Sequence, residues 1–159
     1  MKNQNFGIEI EMTGITRSTA AKVIAGYFYT NATHVGGCYD AYSVRDNDGK
    51  MWKIMRDASV RCENRSGQNA SSLYSVEFVT PICNYDDIET IQSIVRELRR
   101  NGHAKVNESC GIHIHVDASK HTARSLRNIA NIMYSKEDLI FKALKVRPQR
   151  EVRFCKKID

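Results

Sequence analysis

Hydrophobic side chains alternate with polar ones in several segments of the chain, and this period of two is typical of β-strands. The first alternating segment carries Glu9 and Glu11 at its polar positions. Asp48-Gly49 separates two others and favours a tight turn, so these two are predicted to form a hairpin. The predicted strands cover residues 6–12, 39–45, 51–55, 73–80 and 111–117.

Elsewhere apolar residues recur at a spacing of three and four, which predicts amphipathic helices. One helix is expected over residues 18–29 with Ser18 as its N-cap, before the loop that contains Gly36-Gly37. A second is expected over residues 86–100. Asp86 and Glu89 stand at capping-box spacing there, and Asn101-Gly102 should end the helix.

The remainder of the chain predicts two more helices, one capped by Thr122 and the next by Ser135. Residues after Pro148 are expected to be irregular or extended, and the polar segment 61–72 to be an exposed loop. This order of elements predicts an α+β fold whose mostly antiparallel sheet has helices packed on one face. A single domain is expected over residues 1–159.

Composition narrows the class of protein. The chain has 159 residues, of which 42% are hydrophobic and 26% charged, as in an ordinary globular domain. It contains neither an apolar run of the roughly 20 residues that cross a bilayer nor a signal-peptide pattern. The five cysteines include no Cys-x-x-Cys pair, which argues against a disulfide framework. We therefore expect no membrane partner and a cytoplasmic location.

Positive charge is concentrated at one end of the chain. The formal net charge is +6 overall. Residues 142–159 carry seven basic and two acidic side chains, so this segment alone holds +5. Such a segment could contact a protein or a nucleic acid, and a solvated tail without a partner is the alternative.

The polar positions of the predicted strands carry glutamate and histidine side chains that could bind a metal ion. Glu9 and Glu11 lie about 7 Å apart on one face of a strand and would repel each other without a nearby cation. If the strands are neighbours, carboxylates and imidazoles meet in a small volume that suits Mg²⁺ or Mn²⁺. The candidate ligands on these strands are Glu9, Glu11, Glu77, His113 and His115, and Asp57 after the hairpin is a further one.

Other chemistries find less support. The chain has no glycine-rich phosphate loop, so a nucleotide would be held by metal and arginines. Zinc could bind Cys110, His113 and His115, but Cys110 and His113 point to opposite faces of a regular strand. A Cys–His nucleophilic pair remains open, although no cysteine has a clearly cationic environment.

Four ordered motifs resemble those of the amidoligase family, relatives of glutamine synthetase and glutamate–cysteine ligase. They are Phe6-Gly7-Ile8-Glu9-Ile10-Glu11, Trp52 to Ser59, Val76 to Pro81, and Cys110-Gly111-Ile112-His113-Ile114-His115-Val116-Asp117. The segment 150–156 is similar to the arginine-containing segment that follows in that family.

The resemblance implies a curved antiparallel sheet, a glutamine-synthetase-like half funnel whose concave face holds ATP and Mg²⁺ or Mn²⁺. It implies that a carboxylate is activated as an acyl phosphate and then attacked by an amine. His115, Arg150 and Arg153 match positions near the nucleotide phosphates, the two arginines as catalytic residues. The metal-binding positions match Glu9, Glu11, Asp57, Glu77 and His113.

The resemblance leaves two functions in view. Full members of the superfamily are longer, and a further metal-binding glutamate and catalytic arginines usually follow the region matched here; Glu151 is a candidate replacement for that glutamate. One function is an ATP- and Mg²⁺-dependent ligase that joins amino-acid or peptide carboxylates to amines. This function includes a truncated or inactive form of such an enzyme. The alternative is a non-catalytic binder, such as a phage or mobile-element inhibitor that contacts a host protein or nucleic acid through residues 142–159.

Overall fold

The computed structural model describes residues 2–158. The chain divides into two compact units, residues 1–117 and 118–159, which are described separately below. This division does not test the prediction that residues 1–159 form a single domain. Asp159, which was counted in the basic segment, lies outside the described residues.

The first unit is built on an antiparallel sheet of six strands in the order β2-β3-β4-β5-β1-β6. β1 therefore lies between two strands that come much later in the chain. The strands are β1 (Phe6–Met12), β2 (Ala32–Gly36), β3 (Ala41–Arg45), β4 (Met51–Met55), β5 (Val76–Val79) and β6 (Ile112–Val116).

Two helices, α1 (Arg17–Phe28) and α2 (Ile88–Arg100), pack on one face of this sheet. The core between them contains Trp52, whose ring stacks on Phe78 with the centroids 5.8 Å apart. Ile24 of α1 and Ile94 of α2 are fully buried in the same core. The predicted α+β class, with an antiparallel sheet and helices on one face, is confirmed. The half funnel stays a prediction.

Both helices of the first unit begin at other residues than those predicted. Thr16 caps α1, because its side chain accepts a hydrogen bond from the backbone N–H of Thr19, and Ser18 lies inside the helix. A short 3₁₀ turn precedes α2, and its capping box joins Asn84 to Asp87. The prediction assigned the capping box to Asp86 and Glu89. Asn84 forms it instead, because Asn is as good an N-cap as Asp.

The sheet also differs from the prediction at two strands. The sequence pattern predicts a loop where β2 lies. A strand of five residues that ends in a bulge beside Gly36 gives little alternation to detect. The first part of the strand predicted at 73–80 is a 3₁₀ turn, Ser72–Tyr74, and β5 begins only at Val76.

The second unit contains α3 (Ala123–Leu144) and α4 (Pro148–Arg153). Thr122 caps α3 as predicted, in a capping box with Ser125. The second cap predicted at Ser135 is wrong: its hydroxyl donates to the carbonyl of Ile132, one turn back, and the helix continues.

The segment after Pro148 is helical rather than irregular, because a proline at the first position is already set in the helical φ range. The chain then contacts α3 again. Lys157 pairs with Asp138, and the backbone N–H of Ile158 donates to Glu137 at 3.0 Å. None of the helices within residues 2–158 combines the length and the apolar character that a membrane span needs.

Candidate metal centre

The register of β1 brings together the acidic and histidine side chains of three strands. Glu11 pairs with Glu77 on β5, and Glu9 pairs with His113 on β6. His115 pairs with Gly7. Directly paired residues place their side chains on the same face, so all of these groups lie on the sheet face opposite α1 and α2.

Hydrogen bonds and one longer ion-pair contact join the imidazoles to the carboxylates. His113 Nδ1 lies 2.9 Å from Glu9 Oε2, and its Nε2 lies 3.7 Å from Glu11 Oε1. His115 Nε2 lies 3.2 Å from Glu9 Oε1. The other oxygen of Glu11 accepts from the backbone N–H of Gly111 at 2.6 Å. The glutamates are therefore held in place by neighbouring strands before any ligand arrives.

Two overlapping groups of side chains could each hold a cation. Glu9, Glu77 and His113 form one group, and Glu11, Asp57 and Glu77 form the other; within each, the ligand atoms lie within 4.8 Å of one another. Glu77 belongs to both. These donors are mainly carboxylate oxygens, which suit a hard divalent cation such as Mg²⁺ or Mn²⁺. All five predicted metal ligands thus lie in one place, while their metal binding stays a prediction.

The charges in this cluster act strongly on Glu77. Burial, followed by the negative charges of Glu9, Asp57 and Glu11, raises the pKa of Glu77 to about 7. The hydrogen bond between Glu9 and His113 lowers the pKa of Glu9 and raises that of His113. A cation that enters would replace the proton on Glu77 as the compensating charge.

A cavity of about 440 Å³ adjoins the cluster and is lined by Glu9 and His115. Its other polar groups include Thr80 and Asp117, and its walls are otherwise largely apolar. Its lining residues include no lysine and no arginine. The candidate ligands therefore border a space large enough for a small molecule.

Arg150 and Arg153 lie in the second unit, on α4. Both guanidinium groups stack on the Phe154 ring, at 4.8 Å and 5.0 Å from its centroid. Their catalytic role at ATP phosphates stays a prediction, and so does contact of residues 142–159 with a protein or nucleic acid.

The structure does not support the two alternatives, a zinc site with Cys110 and a Cys–His nucleophilic pair. The candidate ligand groups found within residues 2–158 contain carboxylates and histidine but no cysteine. Burial raises the pKa of the Cys110 thiol, which disfavours the thiolate that both zinc binding and nucleophilic attack require.

Sequence reasoning missed the groups that hold these ligands. Gly111 contributes only a backbone N–H to Glu11, which no side-chain pattern could reveal. Ser75 bonds to the main chain of Asp57, and the buried Arg17 bonds to Ser75. Only the pairing of β4 with β5 could have indicated the contact of Ser75 with Asp57.

Comparison with known proteins identifies the family of this chain. A family model described as "Putative amidoligase enzyme" matches residues 2–159. A search of curated proteins found no match. The family match covers nearly the whole chain, including both candidate cation groups, and it indicates a ligase-type enzyme. The chain belongs to the amidoligase family.

Proposed function

We propose that this protein is an ATP- and Mg²⁺-dependent ligase that joins a carboxylate to an amine. The observation that carries the proposal is the pair of overlapping ligand groups that share Glu77, in a chain of the amidoligase family. The substrates are an amino acid or peptide that offers a carboxylate and a second one that offers an amine.

The side chains present fit a divalent cation. Four carboxylates and one imidazole supply the ligands, and Glu77 and Glu11 are 8% and 4% exposed. Buried carboxylates that face each other are unfavourable unless protons or cations compensate them. When bound, Mg²⁺ would neutralise the charge of the ATP phosphates and orient the terminal one for transfer.

The chain's own residues then have separable tasks. Glu9 holds both imidazoles, so His113 is oriented toward the cation position and His115 toward the adjoining cavity. His115 is thus placed to donate a hydrogen bond to a phosphate oxygen. Glu77 gives up its proton when the cation binds, which links cation affinity to pH.

The proposed reaction has two steps. A substrate carboxylate oxygen attacks the terminal phosphorus of ATP, and the bond to ADP breaks, which gives an acyl phosphate. The amine nitrogen then attacks the acyl carbon, phosphate leaves with the C–O bond electrons, and the amine loses a proton to solvent. Charge neutralisation and positioning carry most of such catalysis, so a protein nucleophile is not required.

Thermal unfolding in the presence of metal tests the cation site. We expect millimolar Mg²⁺ or Mn²⁺ to raise the Tm of the unsubstituted protein, because the cation binds only the folded state. Glu9→Ala combined with Glu77→Ala should abolish this increase. Glu89→Ala is the matched control, since Glu89 is an exposed carboxylate on α2. A Tm that does not respond to metal would contradict the proposal.

Trapping with hydroxylamine tests the reaction without knowledge of the natural amine. The protein is incubated with ATP, Mg²⁺, hydroxylamine and a mixture of amino acids, and hydroxamate and phosphate are measured. Equal amounts of both are expected, because hydroxylamine attacks an acyl phosphate as an amine would. Phosphate without hydroxamate would indicate plain ATP hydrolysis and would rule out acyl transfer to this amine.

A further inference from the structure

Ser75 stands at the point where the ladder between β4 and β5 stops. The last pair of that ladder is Met55 with Glu77. If the antiparallel register continued for two residues, Asp57 would stand opposite Ser75. Main-chain pairing ends before that position, however. There the side chain of Ser75 makes the hydrogen bonds to Asp57 that a main chain would otherwise make.

The hydroxyl of Ser75 holds the main chain of Asp57 from both sides. The backbone N–H of Asp57 donates to Ser75 Oγ at 3.0 Å, and the same hydroxyl donates to the carbonyl oxygen of Asp57. One hydroxyl can make both bonds because it is a donor and an acceptor. Ser75 is 2% exposed, so water does not compete for these bonds.

The carboxylate of Asp57 is fixed in addition. Its Oδ1 accepts from the backbone N–H of Ser59 at 2.6 Å. A ligand oxygen of this carboxylate lies within 4.8 Å of ligand oxygens of Glu11 and Glu77. The Ser75 hydroxyl therefore links the main chain of Asp57 to the segment that carries Glu77.

Arg17 in turn holds Ser75. This arginine is the first residue of α1 and is 3% exposed. Its Nη1 donates to the carbonyls of Ser72 and Ser75, at 2.6 Å and 2.8 Å. Its Nε and Nη2 donate to Asp40 Oδ2, at 3.0 Å and 2.5 Å. A buried guanidinium is costly unless its donors are satisfied, so these partners keep it in one orientation.

We propose that Ser75 and Arg17 are positioning residues of the cation site, in which Ser75 places Asp57 and Arg17 places Ser75. The inference rests on the proposed function, because the ligand that these groups position is a divalent cation. Outer groups that orient metal ligands typically contribute about 10–100-fold to metal affinity.

Thr13 provides a matched control within the same unit. Its hydroxyl also bonds a main chain from both sides, since it accepts from the N–H of Glu63 at 2.8 Å and donates to its carbonyl at 2.9 Å. Thr13 is fully buried, but Glu63 belongs to neither candidate ligand group. Thr13→Val therefore removes the same kind of support without releasing Asp57.

The test compares Mn²⁺ affinity, measured by electron paramagnetic resonance, among folded variants. Ser75→Ala is expected to weaken Mn²⁺ binding by about 10-fold or more, whereas Ser75→Thr and Thr13→Val should stay within about twofold of the unsubstituted protein. Water-proton relaxation should also show more exchangeable water on the Mn²⁺ held by Ser75→Ala. A change in global stability alone would not produce this signal.

Asp40→Asn serves if Ser75→Ala does not fold, because it removes the charge that holds Arg17 and leaves Ser75 intact. Mn²⁺ binding several-fold weaker than that of the unsubstituted protein is then expected. Unchanged affinity in Ser75→Ala, or in Asp40→Asn if that variant is the one that folds, overturns this inference and leaves the proposed function standing. Equal weakening by Thr13→Val also overturns it. Absence of Mn²⁺ binding to the unsubstituted protein overturns both.

Discussion

Glu77 is the carboxylate on which both groups of candidate ligands depend. It is 8% exposed and lies near Glu9, Glu11 and Asp57, and these neighbours together with burial raise its pKa from an ordinary 4.5 to about 7. Between these two values the folded chain keeps a proton that the unfolded chain has lost. Stability therefore falls as pH rises through that window.

Metal-free protein should accordingly unfold at a lower temperature near pH 8 than near pH 5.5. The pKa of His113, which its hydrogen bond to Glu9 raises, adds an effect of the same sign. The lowered pKa of Glu9 matters only on the acidic side, where protonation removes its contribution. The part due to Glu77 is at most about 3 kcal/mol, and Glu77→Gln should remove it. Scanning calorimetry without metal measures the trend.

Mg²⁺ should oppose this pH trend and at saturation remove the part due to Glu77, because the cation requires Glu77 to be ionised. The increase in Tm caused by a fixed Mg²⁺ concentration is expected to grow from pH 6 to pH 8. Glu89→Gln, an exposed change on α2, should behave like the unsubstituted protein. An increase that stays the same at every pH would show that Glu77 does not exchange a proton for the cation.

At the scale of elements, the end of α2 is packed unusually closely. A Cβ added at Gly102 would lie 2.6 Å from Ile15 Cδ1 and 2.6 Å from the carbonyl oxygen of Leu98. The backbone N–H of Ala104 donates to that same carbonyl, which keeps it in place. The absence of a side chain at Gly102 is therefore what lets the chain leave α2 beside the segment that leads into α1.

Gly102→Ala should reduce the free energy of unfolding by about 1–3 kcal/mol, as expected for overpacking a tight site. Gly26→Ala is the opposite control. Gly26 lies within α1, where an added Cβ would meet nothing within 4 Å, so a gain of up to about 1 kcal/mol is expected. Urea denaturation of the two variants measures both changes. Equal changes in the free energy of unfolding of the two variants would show that the close contacts at Gly102 do not determine the effect of an added side chain.

The sequence predicts helices and strands most accurately where an alternating or helical pattern extends over many residues and the capping residues are unambiguous. β1, β6 and the body of α2 follow this rule, and the Asn101-Gly102 stop of α2 is confirmed. Ser135 shows the limit, because a serine can cap a helix or bond back within one, and only the surrounding structure decides.

The candidate ligands could be named from sequence because each lies at a polar position of a strand or directly after one. Their convergence could not be derived in the same way, since it depends on β1 lying between β5 and β6. Strand order is a property of the whole chain. Supporting contacts such as Gly111 to Glu11 use main-chain atoms, which every residue type offers alike.

On the scale of the whole molecule, the candidate site spans three neighbouring strands of the first unit. In the sheet that the structure describes, β6 pairs only with β1, so one side of this strand lacks a main-chain partner. β6 also carries His113. A cation held by Glu9, Glu77 and His113 would therefore tie the edge strand to β1 and, on the far side of β1, to β5.

Mg²⁺ should slow amide hydrogen exchange in Ile112–Val116, because opening of β6 would release the cation. A slowing of about 10-fold is expected at a concentration about ten times the dissociation constant. The β2–β3 pair contributes no candidate ligand and should exchange at an unchanged rate. Mass spectrometry with and without Mg²⁺ reports both regions. Equal slowing in both would indicate a general salt effect instead.

The position of β1 between two later strands has a consequence for synthesis on the ribosome. Glu9 precedes His113 by 104 positions, and at 5–20 residues per second this separates their emergence by roughly 5–20 s. β5 is synthesised within that interval, but until Ile112–Val116 follows, β1 has no neighbour on its other side and Glu9 lacks both of its imidazole partners. The candidate ligand group of Glu9, Glu77 and His113 therefore cannot form on a nascent chain before β6 has been synthesised.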